Sequence, residues 1–174
     1  MYTDLRIVDN DNKALAAYER GEVCIKGPNV MKGYWNRPEA TAEAIDDEGW
    51  FHSGDIGYLD QEGFLYICDR VKDMIITGGE NVYPAEIENI LYGHNAIAEV
   101  AVVGMPDEKW GEAVVAVIAL NPDADISLEE LRKYSESKLA RYKLPSRLHI
   151  VNVLPRNPAG KVQKFVLREQ LSEK

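Results

Sequence analysis

Over the first 70 residues, apolar and polar positions alternate in short runs cut by turn-forming residues, a pattern of strands rather than helices. Leu5-Arg6-Ile7-Val8 stops at Asp9-Asn10-Asp11-Asn12, whose side chains favour turns by bonding nearby backbone. Glu22-Val23-Cys24-Ile25-Lys26 predicts a second strand, ended by Gly27-Pro28. A short helix is expected over 38–45, with Pro38 suited to a first helical position. Ile56-Gly57-Tyr58-Leu59 and Phe64-Leu65-Tyr66-Ile67, separated by Asp60-Gln61-Glu62-Gly63, predict a hairpin with a four-residue loop. The period of two puts Phe64, Tyr66 and Cys68 on one face of its second strand.

After Lys72 strands and helices alternate. Tyr83-Pro84-Ala85-Glu86 predicts a helix start, with Pro in the first turn, acidic residues where the dipole favours them, and Ile87, Ile90 and Leu91 at helical spacing. Val100-Ala101-Val102-Val103 and the run from Ala113 to Leu120 are continuously apolar, as strands covered on both faces are. Ser127-Leu128-Glu129-Glu130 has the spacing of a capping box, leading a helix expected to turn Leu128, Leu131 and Leu139 inward. Leu148-His149-Ile150-Val151 predicts a further strand and the stretch from Val162 to Leu171 a last helix. The fold class expected is α+β, with a boundary near Lys72.

Composition narrows the partners. The 174 residues carry 20 Lys plus Arg against 29 Asp plus Glu, a net charge of −9, which argues against a nucleic-acid surface. No run approaches the length of a bilayer span, and the first ten residues lack the apolar core of a signal peptide. Cys24 and Cys68 lie far apart without a CxxC pattern, so no metal site is expected, and a reduced, cytoplasmic compartment fits.

Four polar or glycine-bearing segments interrupt the apolar strands. In Gly49-Trp50-Phe51-His52-Ser53-Gly54-Asp55, a carboxylate held at a turn either accepts both hydroxyls of a ribose diol or closes an Asx-turn. The segment from Asp69 to Glu88 sets Asp69, Arg70, Lys72 and Asp73 between two strands and a Gly78-Gly79 pair before a helix. Glycines there either let a narrow ligand approach the backbone or make a tight turn. In the segment from Gly104 to Glu112, Trp110 either covers an apolar ligand or plugs a core edge. Leu154-Pro155-Arg156-Asn157-Pro158-Ala159-Gly160-Lys161-Val162 is a stiff loop presenting Lys161, either solvent decoration or a point charge for phosphate oxygens.

In this order the segments, with Lys32-Gly33-Tyr34-Trp35-Asn36-Arg37-Pro38-Glu39-Ala40-Thr41 before them, closely resemble the C-terminal portion of the acyl-adenylate-forming enzymes. That family includes acyl-CoA synthetases, luciferases and the adenylation domains of peptide synthetases. The resemblance covers essentially the whole chain and is strongest to fatty-acyl-CoA ligases. It implies that residues 1–71 are the β-rich end of a large N-terminal AMP-binding domain and 72–174 a small mobile α+β lid. It implies ATP, CoA, Mg²⁺ and a carboxylic acid as ligands. By this resemblance Asp55 binds the ribose hydroxyls, with Ser53 replacing the commoner Thr, and Arg70 also contacts the nucleotide. Lys72 is the implied hinge, and Lys161 the catalytic lysine that reaches the carboxylate and α-phosphate during adenylation. Gly78 and Gly79 are implied to line the pantetheine tunnel and Trp110 to pack near CoA. Leu144 stands where some relatives have an arginine for the CoA phosphates, leaving Lys143 and Arg147 as candidates.

The family's phosphate loop, acyl pocket and metal-binding Glu match no segment here, so the chain reads as a fragment, inactive without an N-terminal domain, with the Mg²⁺ ligands outside it. Two alternatives stand beside the CoA ligase: an adenylating enzyme with a carrier-protein acceptor, and a non-catalytic binding or assembly module that kept the lid fold.

Overall fold

The structure, a computed structural model, describes residues 2–172. They form two compact units, Met1–Lys72 and Asp73–Lys174. Both are mixed α and β, in agreement with the expected α+β class. No helix among the described residues is long and apolar enough to cross a membrane.

The first unit is a four-stranded antiparallel meander of β1 (Asp4–Val8), β2 (Gly21–Lys26), β3 (Phe51–Leu59) and β4 (Leu65–Arg70), with helix α1 (Pro38–Ala44) in the β2–β3 connection. Its buried core is small: Ile7, Val8, Val23, Cys24 and Ile56. Phe64 precedes β4 and, like Tyr66 and Ile67, is exposed, so the expected face of Phe64, Tyr66 and Cys68 is not an inward one. Tyr66 instead stacks on Tyr58 across the strands at 5.0 Å. The hairpin has the expected loop, but β3 runs back to Phe51 and takes the whole of Phe51 to Asp55 into the sheet.

The second unit is built around the hairpin of β7 (Ile97–Asp107) and β8 (Gly111–Leu120). On the other edge of β8 lies β5 (Ile75–Thr77), meeting it at Gly111, and then β9 (Arg147–Val151), which runs parallel to it. β6 (Glu80–Val82) pairs with β5 through a turn at Gly78-Gly79. Both glycines have positive φ, 59° and 85°, the conformation a two-residue type I′ hairpin requires. This glycine pair closes a hairpin before helix α2 (Pro84–Leu91) begins.

Alternation along β8 feeds two cores. Val114, Ala116 and Ile118 join Ile87 and Leu91 of α2 and Leu131 of α3 (Leu128–Ser135). Ala113, Val115 and Val117 join Leu154 and Leu167, the latter on α4 (Lys164–Ser172). The continuous apolar runs thus belong to strands covered on both faces, as expected. The capping box forms in full: the Ser127 hydroxyl accepts from the Glu130 amide at 3.2 Å and Glu130 accepts from the Ser127 amide at 2.8 Å. Those Ser127 bonds lower the Glu130 pKa. α3 ends at Ser135, so Leu139 reaches the core from beyond the helix, while Leu128 is half-buried. Gly104 to Asp107, expected as loop, continue β7; Pro106 fits there because β7 is an edge strand, paired with β8 on one side only among the described residues.

Replacing Leu131 by Ala is expected to lower the unfolding free energy by about 3 kcal/mol through the cavity left in the α2–α3 core. Ser127→Ala, which removes only the cap, is expected to cost about 1 kcal/mol. Urea denaturation followed by far-UV circular dichroism gives both values.

Candidate functional site

In the first unit, β2 and β3 are out of step: Cys24 faces His52 while Glu22 faces Ile56, so Ser53, Gly54 and Asp55 stand opposite Val23 alone. This bulge frees amides from the ladder, and side chains take them up. The Gly54 amide donates to Glu22 Oε1 at 3.1 Å and the Asp55 amide to Ser53 Oγ at 3.1 Å. Gly54 has φ of 71°, a left-handed value that favours glycine. On its other edge Asp55 lies opposite Arg70 of β4, whose Nε forms an ion pair with Asp55 Oδ1 at 2.9 Å. Asp55 therefore sits in a strand, not at an Asx-turn, with its carboxylate 29% and the arginine 55% exposed.

Behind the bulge runs a chain of charged groups that the sequence reading passed over. His52 Nδ1 donates to Glu22 Oε2 at 2.8 Å, its Nε2 lies 3.6 Å from Asp46 Oδ2, and Asp46 binds Arg6 at 3.1 Å. Burial pushes the Asp46 pKa up, but the amides of Trp50 and Glu48 with Arg6 and His52 outweigh it and hold the carboxyl below its usual value. Arg6 also stacks on Trp50, 4.3 Å from the ring centre. The signal available in the sequence was the spacing of Glu22 and Cys24, two apart on one strand face.

Glu22, Cys24 and His52 offer one oxygen, one sulfur and one nitrogen within 4.8 Å of one another, a grouping that the expectation of no metal site did not foresee. This donor set suits a softer ion than Mg²⁺, which takes oxygens. Both Glu22 oxygens are already committed to Gly54 and His52. Burial, and next the Glu22 charge, push the Cys24 thiol up to about 11, so it stays protonated and neutral. These residues make a hydrogen-bonded structural cluster that does not fit Mg²⁺.

Lys72, exposed, is the last residue of the first unit and lies in the 3₁₀ turn Val71–Asp73. In the second unit, Gly78 and Trp110 come together. The Gly78 amide donates to the Trp110 carbonyl at 2.8 Å, and a Cβ on Gly78 would meet Trp110 Cε3 at 3.0 Å. Asp107 closes the β7–β8 turn by accepting from the amides of Lys109 and Trp110, and binds Arg147 at 3.1 Å. Trp110 is half-exposed, with Lys109 over its ring at 4.8 Å. Gly79 is exposed at the hairpin tip with nothing within 4 Å of its missing Cβ. Lys143 does not join this group. It is 15% exposed and gives its ammonium to both Glu86 oxygens, at 2.8 and 2.9 Å. Leu144 beside it packs on the α2–α3 core.

The Lys161 loop is closed by hydrogen bonds within itself. Asn157 Oδ1 accepts from the Lys161 amide at 2.9 Å, and Arg156 and Val162 form an isolated bridge. Arg156 reaches the Gly160 carbonyl at 2.7 Å and Glu99 of β7 at 3.0 Å. Just beyond, Lys164 pairs with Glu88 at 2.8 Å, and Glu88 also accepts the edge amide of Val102 at 2.7 Å. Backbone and flanking side chains are thus pinned to the β7 edge, while the exposed Lys161 ammonium has no partner among the described residues. Glu99, which anchors this loop, and Asp107, which shapes the Trp110 turn, lie eight residues apart on β7, about 26 Å of extended strand.

Residues 86–161 match the family model of the AMP-binding enzyme C-terminal domain. Over nearly its whole length the chain is similar to the C-terminal portion of AMP-binding enzymes. It is 51% identical over 172 residues to the long-chain-fatty-acid–CoA ligase FadD13 of Mycobacterium tuberculosis, covering 99% of this chain and 34% of that protein. The ATP-bound structure of MatB from Rhodopseudomonas palustris superposes with a TM-score of 0.90 at 40% identity, over 98% of this chain and 34% of that one. The o-succinylbenzoate CoA synthetase MenE of Bacillus subtilis, in complex with its acyl-adenylate OSB-AMP, gives 0.85 at 44% identity, over 99% and 34%. The chain spans about a third of the length of these AMP-binding relatives.

The Cys24 thiol makes a pH-dependent contribution of known sign. Its folded pKa of about 11 lies above its ordinary value of 9.0, so the stabilisation is complete below pH 9 and is lost as the pH rises towards 11. Urea midpoints are expected to fall more steeply across that window in the wild type than in Cys24→Val. At pH 8 a thiol reagent is expected to modify Cys68 readily and Cys24 only on unfolding.

Proposed function

We propose that this chain is the C-terminal part of an ATP-dependent acid–thiol ligase that activates a carboxylic acid, a fatty acid in the first instance, and transfers it to CoA. The observation that carries the reading is the Asp55–Arg70 ion pair between the bulged strand β3 and the edge strand β4, in which Asp55 Oδ2 and the outer guanidinium nitrogens have no partner among the described residues. A carboxylate oriented by an arginine accepts the two hydroxyls of a ribose, and the guanidinium supplies a second set of donors. Support comes from relatives whose names and complexes contain CoA ligation, bound ATP and an acyl-adenylate.

In the first half-reaction a carboxylate oxygen attacks the α-phosphorus of ATP, the bond to the β-phosphate oxygen breaks, and pyrophosphate leaves. Lys161 is the proposed catalytic cation. Its ammonium has no competing partner among the described residues and its loop is held by Arg156 and Asn157, so the charge is positioned without being neutralised. A fixed cation at the charge developing on the phosphoryl oxygens and carboxylate lowers that barrier. In the second half-reaction the CoA sulfur attacks the acyl carbon, the C–O bond to AMP breaks, and the thiol proton passes to solvent. Gly78 and Trp110 are the proposed lining for the thiol arm: side-chain bulk is missing where the indole already crowds the backbone. Gly79, at the tip of the same turn, extends that lining. Arg147, 48% exposed beside the same turn, is a better phosphate contact than Lys143, which is committed to Glu86. Lys72 is the proposed pivot between half-reactions that draw on groups anchored towards opposite ends of β7. Mg²⁺ is expected to be held outside this chain. The proposed setting is cytoplasmic.

Joined to the N-terminal domain of a related acyl-CoA synthetase, the chain is expected to release AMP from ATP, Mg²⁺, CoA and a fatty acid. Lys161→Ala is expected to slow acyl-adenylate formation ~10²–10³-fold while thioester formation from preformed acyl-adenylate stays within a few-fold of wild type. Equal loss in both half-reactions overturns the assignment of Lys161 to adenylation alone. A folded chimera that releases no AMP while the donor enzyme does removes the ligase reading.

A further inference from the structure

We propose that Glu22 is a positioning residue for nucleotide recognition, setting the bulge that presents Asp55, and that His52 and Asp46 brace it. The inference rests on the assignment of Asp55 to the ribose diol. Three residues of β3 stand opposite one of β2, and the Gly54 and Asp55 amides bond to side chains at this bulge. Glu22 Oε1 takes the middle one, Gly54, at 3.1 Å. A carboxylate is a strong acceptor for an amide, and this contact fixes the residue whose left-handed backbone turns the chain into Asp55.

The second oxygen of Glu22 is held in turn. His52 Nδ1 donates to it at 2.8 Å, and the far side of the ring faces Asp46, which is fixed by Arg6 and by the amides of Glu48 and Trp50. Glu22, His52, Asp46 and Arg6 have between 19% and 24% of their side chains exposed, so their contacts are screened less than those of surface pairs. The network spans β1, the turn before β3, β3 itself and β2, and ends on the Gly54 amide. Asp55 is thus gripped from two sides, by the bulge it terminates and by Arg70 across β4. Among the described residues Glu22 is hydrogen-bonded inward, to Gly54 and His52, and acts through Asp55 rather than on substrate.

The test is discrimination between ATP and 2′,3′-dideoxyATP, read as the ratio of their kcat/KM values in adenylation by the intact ligase carrying this chain. Asp55→Ala is expected to collapse the ratio towards one. If it does not, the ribose assignment fails. Given that collapse, Glu22→Ala is expected to reduce the ratio ~10-fold, chiefly through the KM for ATP. Glu22→Gln, which keeps an oxygen for the Gly54 amide, is expected to retain most of it. Gly54→Ala strains the bulge without touching the network and is expected to act like Glu22→Ala. That variant decides the matter if Glu22→Ala does not fold. Wild-type discrimination in folded Glu22→Ala, or in Gly54→Ala, with Asp55→Ala collapsed, overturns the proposal and leaves the ribose assignment standing. A uniform fall in kcat for both nucleotides, with the ratio unchanged, overturns it equally.

Discussion

The second unit depends on one constraint, the burial of β8 on both faces. Seven successive residues, Ala113 to Ala119, are shut away from water, and no strand can be that apolar unless cover arrives from both sides. α2 and α3 supply it on one face and α4 with Leu154 on the other. β7 then has to be an edge strand, and an edge must be blunted against further pairing. Glu88, tied to Lys164, covers one edge amide, and Glu99 holds Arg156. The same ion pairs that close the edge fix the ends of the Lys161 loop, so scaffold and site share their contacts.

In the first unit the decisive feature is an irregularity. A regular ladder would have left the Asp55 side chain in step with its neighbours, and the Gly54 amide bonded to β2. Instead three residues crowd opposite Val23, and the amides they release are taken by Ser53 and Glu22. A charged network behind a small apolar core holds this bulge where hydrophobic packing could not. Such networks stabilise well only when each member is satisfied; Glu22 and Asp46 both use their two oxygens, while Arg6 Nε is buried without a hydrogen-bond partner among the described residues.

Much of the architecture was legible from pattern. The strands, the Pro-led helices and the Ser127–Glu130 box follow from local chemistry acting over two to four residues. The misreadings share a cause. Phe51 to Asp55 and Gly104 to Asp107 looked like loops because glycine, proline and polar residues are poor strand formers, yet cross-strand pairing carried them into β3 and β7. Among the candidate site residues, the motifs point to Asp55, Arg70, Gly78, Trp110 and Lys161. Lys143 was named by proximity in sequence, and the fold gave it to Glu86, 57 positions away.

The sequence by itself determined most of the strand and helix segments, the two-sided burial of β8, and the family resemblance, because these rest on local periodicity and short motifs. Only the tertiary structure decided that Glu22 and His52 stand behind Asp55, that Gly78 lies against Trp110, and that Lys161 keeps an ammonium with no partner among the described residues on a pinned loop. Each of these depends on strand register or on contacts between residues about 30 positions apart or more. Such contacts are set by how the strands align, which short-range pattern does not encode.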